Sequence, residues 1–185
     1  MSATHTLEAA DIVLRLPELS FSQYLLDYYR ENKAFLEAFE PDRPESFYTD
    51  AYQTQQLRKE MAEAESQTAF RFYIFLKADP QPLIGSIALS NIVRGCFLSC
   101  FLGYKLDSEH RNKGYMTQAI RSVARFAFDE LRLHRIEANV MPRNLPSRRV
   151  LLKCGFQEEG FAPKYLKING VWEDHMHMVL LNETL

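Results

Sequence analysis

Three segments rich in aromatic and β-branched residues, separated only by short turns, dominate the middle of the chain. The first extends from Phe70 to Lys77, the second from Leu83 to Ile92 and the third from Phe97 to Leu106. Asp-Pro-Gln-Pro at residues 79–82 and Arg-Gly at residues 94–95 are turn sequences. Because successive strands joined by tight turns run antiparallel, the sequence predicts a three-stranded meander around which the rest of the fold must be built.

Helical and extended patterns flank this meander on both sides. The elements predicted before it are a strand at Ile12–Leu16, a helix at about Ser20–Phe39 and a helix at Thr49–Ser66. The elements predicted after it are helices at Met116–Leu131 and Leu145–Cys154, and strands at Arg135–Met141, Phe156–Lys167 and Val171–Leu181. The Asn169-Gly170 pair between the last two strands is a strong hairpin signal.

The order β-α-α-β-β-β-α-β-α-β-β defines the expected fold class. It predicts an α/β (α+β) protein with a single mixed, largely antiparallel sheet flanked by helices. A length of 185 residues fits one domain, so residues 1–185 are expected to form a single unit. A formal net charge of -2 gives no basic footprint for nucleic acid, and direct nucleic-acid binding is not expected.

The cysteines and the N-terminal residues indicate the cellular compartment in which the protein is expected. The three cysteines, Cys96, Cys100 and Cys154, are an odd number without a C-x-x-C pair, which predicts neither a disulfide framework nor a structural zinc site. Residues 1–10 contain no apolar run, so no secretory signal is predicted. No segment has the roughly 20 apolar residues of a membrane span. We therefore expect a cytoplasmic protein without a membrane partner.

A glycine-containing loop lies between the third meander strand and the next helix. Its sequence is Arg111-Asn112-Lys113-Gly114-Tyr115-Met116. A strand, a short loop and a helix start present free backbone N–H groups and the positive end of a helix dipole, which suits a phosphate. The loop lacks the glycine pattern of a P-loop or a dinucleotide site. Ordinary helix capping by Gly114 is the alternative interpretation.

Two regions of opposite charge are hidden by the small net charge. From Arg111 to Lys153 there are ten basic residues against three acids, a net of +7, and from Glu31 to Glu65 nine acids against four bases, a net of -5. This asymmetry suits a polyanionic cofactor on one side and a cationic substrate on the other. Solvated helix faces would give the same counts.

Two further motifs complete a pattern that resembles a known family. Asn144-x-x-Ser147 opens the next helix, and Gly155-Phe156-x-Glu158-Glu159-Gly160 follows it. With the Arg111-x-x-Gly114-x-Met116 loop, they resemble the acetyl-CoA-binding core of the GNAT superfamily of N-acetyltransferases. Within it the chain most resembles the RimJ/RimL group of ribosomal-protein-alanine N-acetyltransferases, from about Ile12 to Leu181. The matching segments are Asp27-Tyr28-Tyr29-x-Glu31-Asn32, Ser90-Asn91-x-Val93-Arg94-Gly95, Leu102-Gly103-Tyr104, His134-Arg135-Ile136 and Trp172-x-Asp174-His175.

The resemblance implies a GNAT fold with acetyl-CoA as cosubstrate. The residues it assigns to the cofactor are Tyr104, Lys105 and Leu106 along the pantetheine, Arg111, Asn112, Lys113, Gly114, Tyr115, Met116 and Thr117 around the pyrophosphate, and Asn144 and Ser147 in the following loop and helix. The chain departs from the family at two positions: Met116 replaces a usual glycine or alanine, and Leu151 replaces a tyrosine that many members use to protonate the thiolate.

The catalytic candidates are Ser147 and Asp174. Ser147 lies one turn before Leu151 and is the remaining hydroxyl for the thiolate; its alternative role is to cap the helix start. Alternation places Asp174 on the apolar face of the last strand, where a carboxylate must be paired or used in the reaction, so it orients or deprotonates the amine or has a structural partner. His175 and His177 share a face without a third ligand, and we expect surface histidines and no metal.

The expected reaction is direct attack of a primary amine on the thioester. An α-amine with a pKa near 7.7 to 8.0 is about a tenth neutral at pH 7, whereas a lysine amine near 10.4 is neutral in about one molecule in a thousand or fewer. Weak candidate bases therefore favour an N-terminal amine, and the resemblance favours an alanine-starting ribosomal protein. The alternatives are small cationic amines (polyamines, amino acids, aminoglycosides) and a CoA-binding module without turnover.

Overall fold

A computed structural model describes residues 6–184 of the protein. Its helices are α1 (Ser22–Glu31), α2 (Lys33–Leu36), α3 (Asp50–Glu65), α4 (Tyr115–Arg125) and α5 (Leu145–Lys153). Its strands are β1 (Thr6–Glu8), β2 (Ile12–Arg15), β3 (Phe70–Leu76), β4 (Leu83–Val93), β5 (Ser99–Leu106), β6 (Arg135–Val140), β7 (Gln157–Ile168) and β8 (Val171–Leu181). A five-residue π-turn, Phe126–Glu130, extends α4.

The described strands form one sheet of eight in the order β1-β2-β3-β4-β5-β6-β8-β7. All neighbours are antiparallel except β5 and β6, which are parallel. The predicted fold class and the central meander are therefore confirmed. The sequence missed β1, because three residues are too few to show an alternating pattern.

The prediction of one continuous helix from Ser20 to Phe39 is wrong, because the structure has two helices there. α1 ends at Glu31 and the short α2 begins at Lys33, with Asn32 between them. The Asn32 side chain is buried and donates from Nδ2 to the Tyr28 carbonyl at 3.0 Å. An asparagine that bonds to nearby backbone in this way competes with the helical ladder, which explains the break.

The two faces of the sheet carry different helices. The front face, with Phe72, Ile74, Cys100, Leu102 and Ile136, packs against the apolar sides of α4 and α5 in the larger core. The back face packs its β3 and β4 side chains, with Tyr73, Phe75 and Leu83, against α1, α2 and α3. Because side chains alternate along a strand, each strand residue can be assigned to one of these faces.

The sheet opens between β5 and β6. The two strands pair only from Ser99 to Phe101 on β5 and from Arg135 to Glu137 on β6. Beyond that point β5 continues to Leu106 beside β4, and β6 continues to Val140 beside β8, without pairing to each other. This opening leaves backbone groups of both strands available to a ligand that passes between them.

The β7–β8 hairpin is bulged and reaches back across the sheet. Its register shifts between Ala162 and Leu166, where Lys164 has a φ of 51°. At the tip, the Asn169 side chain donates to the Glu37 carbonyl just after α2, at 2.6 Å. The hairpin and the α2 end therefore meet beside the opening.

No helix within residues 6–184 is long and apolar enough to cross a membrane.

Candidate active site

The glycine-containing loop ends in an open helix N-terminus. Gly114 is the N-cap of α4 with a φ of 85°, and it makes no side-chain cap. The first intrahelical bond runs from the Gln118 N–H to the Gly114 carbonyl at 3.1 Å, so the N–H groups of residues 115–117 precede the ladder. A Cβ added at Gly114 would meet nothing within 4 Å. The loop therefore offers space and N–H donors to an anion.

Side chains hold the start of this loop in place. The Asp107 carboxylate accepts from the His110 N–H at 2.8 Å and lies 2.7 Å from His110 Nδ1. The Ser108 N–H donates to Asn32 Oδ1 at 3.2 Å, which ties the loop to the break between α1 and α2. Arg111 donates from Nε to the Ser108 carbonyl at 3.1 Å. The loop is shaped before any ligand binds.

The two departures from the family pattern both involve front-face core residues. Met116 is 8 % exposed and packs in the larger core, so its side chain leaves the helix N-terminus clear and only its N–H faces the loop. Leu151 is 1 % exposed in the same core. A hydroxyl for the thiolate must therefore come from a residue other than the one at position 151.

The start of α5 is joined to β5 across the opening. Asn144 caps α5, because its Oδ1 accepts from the Ser147 N–H at 3.2 Å. Ser147 is therefore not the cap; its Oγ lies 2.7 Å from the Tyr104 hydroxyl. Burial raises the pKa of Tyr104, so its phenol stays protonated near neutral pH. The sequence assigned only the Tyr104 backbone; alternation along β5 could have placed its hydroxyl on the front face.

The Lys105 side chain lies on the back face, away from the predicted pantetheine path. Its Nζ is 2.5 Å from Glu40 Oε1 and donates to the Tyr29 hydroxyl at 3.1 Å. Burial alone would raise the pKa of Glu40, but Lys105 and then Arg43 lower it below its usual range. The predicted cofactor contact of Lys105 can therefore involve only its backbone.

An open cavity of about 280 Å³ adjoins this ion pair. Its lining residues are Tyr29, Lys33, Leu36, Glu37, Glu40, Pro41, Asp42, Arg43 and Tyr48. The three carboxylates come from the acidic region that the sequence assigned to a cationic substrate, but Lys33 and Arg43 offset part of their charge. The cavity therefore lies on the back face with a mixed, slightly acidic lining.

Asp174 has a backbone partner in the structure. Its Oδ1 accepts from the Lys164 N–H at 2.7 Å, inside the β7 bulge. A structural partner for Asp174 is the alternative that the sequence leaves open, and the structure provides one in this backbone N–H. A role of Asp174 in the reaction stays a prediction.

The expectation of surface histidines is wrong for His175. His175 is 3 % exposed, its Nδ1 lies 3.1 Å from the Glu173 carbonyl, and the Tyr165 ring is 5.4 Å away. The bulge in β7 moves Tyr165 over the histidines, which no local pattern indicates. In the described part of the chain, no group of three or more histidine, cysteine or carboxylate residues could hold a metal ion.

A sheet opened between two parallel strands, with a helix N-terminus beside the opening, suits a ligand that carries an anionic group and passes between the strands. The chain belongs to the acetyltransferase (GNAT) domain family, which matches residues 12–157. It is an acetyl-CoA-dependent N-acetyltransferase, and its acyl donor is acetyl-CoA. The family assignment therefore favours an enzyme over the alternative of a CoA-binding module without turnover.

Three relatives show how far the likeness extends. The chain is 44% identical over 176 residues to a probable N-acetyltransferase, YjcK, of Bacillus subtilis, covering 95% of this chain and 97% of that one. The crystal structure of ribosomal-protein-S5-alanine acetyltransferase from Vibrio fischeri matches with a TM-score of 0.92 and 35% identity, covering 97% of each chain. Mycobacterium smegmatis RimJ in complex with CoA-disulfide matches with a TM-score of 0.88 and 27% identity, covering 98% of this chain and 88% of that one.

Proposed function

We propose that the protein acetylates the N-terminal α-amine of an alanine-starting ribosomal protein, in the cytoplasm, with residues 1–185 acting as a single N-acetyltransferase domain. The observation that carries this proposal is the similarity over 97% of the chain to an enzyme named for alanine acetylation of a ribosomal protein. The β5–β6 opening with polar groups on its back face supports it, because a peptide end can approach there.

The cofactor residues proposed from the sequence fit the described geometry. The N–H groups of residues 112–117 bind the pyrophosphate at the α4 N-terminus, where Gly114 leaves room. The backbone of Tyr104 to Leu106 lines the opening and is unpaired toward β6, so it binds the pantetheine arm. Asn144 fixes the start of α5 beside it. Acetyl-CoA supplies a thioester carbonyl that a neutral amine attacks directly.

Ser147 is the side chain proposed for catalysis, and Asp174 is proposed to position the acceptor. The Ser147 hydroxyl, oriented by Tyr104 at 2.7 Å, donates a proton to the departing thiolate and regains one from solvent, and solvent also takes the proton that the attacking amine loses. Asp174 orients the incoming amine, and it acts through the β7 bulge that its bond to Lys164 holds. No described side chain is therefore required as a strong base, which favours an α-amine that is about a tenth neutral at pH 7 over a lysine amine.

A peptide assay tests this acceptor. A peptide that begins with alanine and copies the start of a ribosomal small-subunit protein is incubated with the enzyme and acetyl-CoA, and mass spectrometry locates the acetyl group. We expect modification of the α-amine and none of the same peptide with a blocked N-terminus. Acetylation of internal lysines in the blocked peptide would contradict the α-amine assignment.

A small cationic amine is the second candidate acceptor. The cavity beside Lys105, with Glu37, Glu40 and Asp42 in its lining, favours it, because carboxylates attract a polyamine or an aminoglycoside. Thiol release in the presence of spermidine, free amino acids and an aminoglycoside, compared with the alanine peptide, separates the two. Faster release with a small amine would replace the proposed acceptor.

A further inference from the structure

The back face of the sheet is open where β5 and β6 separate. Gly103 lies two residues beyond the last paired residue of β5, and a Cβ added there would meet nothing within 4 Å. Asn139 lies two residues beyond the last paired residue of β6. By alternation both face the back of the sheet, on opposite sides of the opening. A molecule that approaches a thioester in the opening from the back therefore passes Asn139.

Two buried polar atoms on neighbouring strands have no hydrogen-bond partner among residues 6–184 at this place: Asn139 Oδ1, which accepts, and His177 Nε2, which accepts when the ring proton is on Nδ1. Asn139 is paired with His177 across β6 and β8. Buried polar atoms are nearly always bonded, and an exception calls for a ligand or a functional explanation. Two such atoms on directly paired residues, beside the opening, point to a ligand that donates hydrogen bonds.

Tyr165 covers this pair of atoms. Its hydroxyl accepts from Asn139 Nδ2 at 3.2 Å, and its ring centroid lies 4.9 Å from the His177 ring. Tyr165 is carried by the β7 bulge, whose Lys164 N–H is held by Asp174. Tyr165 is held here by this one hydrogen bond and by ring contacts with His175 and His177, so an acceptor that binds at Asn139 must displace these contacts.

We propose that Asn139 and His177 bind the acceptor amine, accepting its N–H groups at Oδ1 and Nε2, with Tyr165 as a cover that the acceptor displaces. A primary amine has at least two N–H donors, one for Asn139 Oδ1 and one for His177 Nε2 in the tautomer that carries its proton on Nδ1. The proposal rests on the proposed function for the direction of approach. It assigns binding residues that the motifs in the sequence do not indicate.

Matched variants at position 139 test this assignment. Asn139→Leu removes the acceptor oxygen and keeps the shape of the side chain, whereas Asn139→Asp keeps an acceptor oxygen. With the primary amine that wild-type enzyme acetylates fastest, we expect Asn139→Leu to raise the acceptor KM at least about tenfold, with the Kd of CoA unchanged within about twofold. Asn139→Asp should restore most of the loss, and His177→Gln should lie between them.

The result that overturns the proposal is an acceptor KM within about twofold of wild type in folded Asn139→Leu and His177→Gln. If a variant does not fold, its KM cannot be compared with that of wild type. The ¹⁵N NMR signals of the histidine rings are then measured in the wild-type protein with CoA bound. We expect the His177 Nε2 signal to shift as the amine is titrated; an unchanged signal at saturation also overturns the proposal. If spermidine is acetylated faster than the alanine peptide, the proposed ribosomal-protein acceptor is wrong. The roles of Asn139 and His177 are then tested with spermidine as the acceptor.

Discussion

The two sides of the opening differ in the kind of group that each offers to its proposed ligand. The proposed cofactor side consists mainly of backbone N–H groups in one stretch, residues 104–117, with Asn144 and Ser147 added from α5. The proposed acceptor side consists of side chains on distant elements, including Tyr29 and Glu40 before the meander and Asn139, Tyr165 and His177 after it. A backbone site needs a short local sequence; a side-chain site needs the completed fold.

This difference separates the cofactor site, which follows from the fold, from the acceptor site, which follows from individual side chains. A strand, a glycine at the N-cap and a helix start suffice to bind a pyrophosphate, so a shared fold carries the shared cofactor. The acceptor contacts depend on where the β7 bulge and the α1–α2 break place individual side chains. Two proteins with this fold can therefore share the cofactor and differ in the acceptor, because these individual side chains determine which acceptor binds.

The largest expected effect is on the cofactor side, at Gly114. Gly114→Asp places a carboxylate against the pyrophosphate, and we expect it to abolish measurable CoA binding in calorimetry. A Cβ at position 114 would lie in open space, so the fold should remain largely intact, although the φ of 85° adds some backbone strain. Aspartate also tolerates a positive φ better than most residues, which supports a folded variant.

Gly114→Asn is the matched control for this prediction. Asparagine has nearly the shape of aspartate, tolerates a positive φ and carries no charge. We expect Gly114→Asn to weaken CoA binding only a few-fold, through size and strain. Equal Kd values for the two variants would remove the phosphate assignment and leave Gly114 as an ordinary cap.

A smaller effect is expected at Ser147, where the two sides meet. Ser147→Ala should lower kcat about 100-fold, because general acid catalysis is lost, while the Kd of CoA changes little. Higher pH should recover little of the rate, since it does not reposition the cofactor. Tyr104→Phe removes only the orienting hydroxyl and should cost less than Ser147→Ala. If Ser147→Ala keeps the kcat of wild type, the Ser147 hydroxyl is not a general acid and has only a structural role.

Sequence reasoning succeeded where neighbours in the chain determine the structure. The meander, the hairpin and the Gly114 loop follow from alternation and turn residues, and each is present. It failed where distant residues decide. The break at Asn32 depends on a side-chain bond to Tyr28 and on the loop at Ser108, and the burial of His175 depends on a bulge that moves Tyr165 over it. The Tyr104–Ser147 bond joins residues 43 positions apart.

The smallest expected effect is at Asp174, and it decides how the acceptor side uses this carboxylate. Asp174→Asn still offers an oxygen to the Lys164 N–H, so it should hold the bulge and keep kcat and the acceptor KM within about threefold of wild type. Asp174→Leu leaves that N–H unpaired and should raise the acceptor KM by about tenfold. Steady-state kinetics from pH 6 to pH 9 check both variants. If Asp174→Asn instead lowers kcat about 10²- to 10⁴-fold at pH 7 and recovers at higher pH, where the amine loses its proton unaided, Asp174 deprotonates the amine directly.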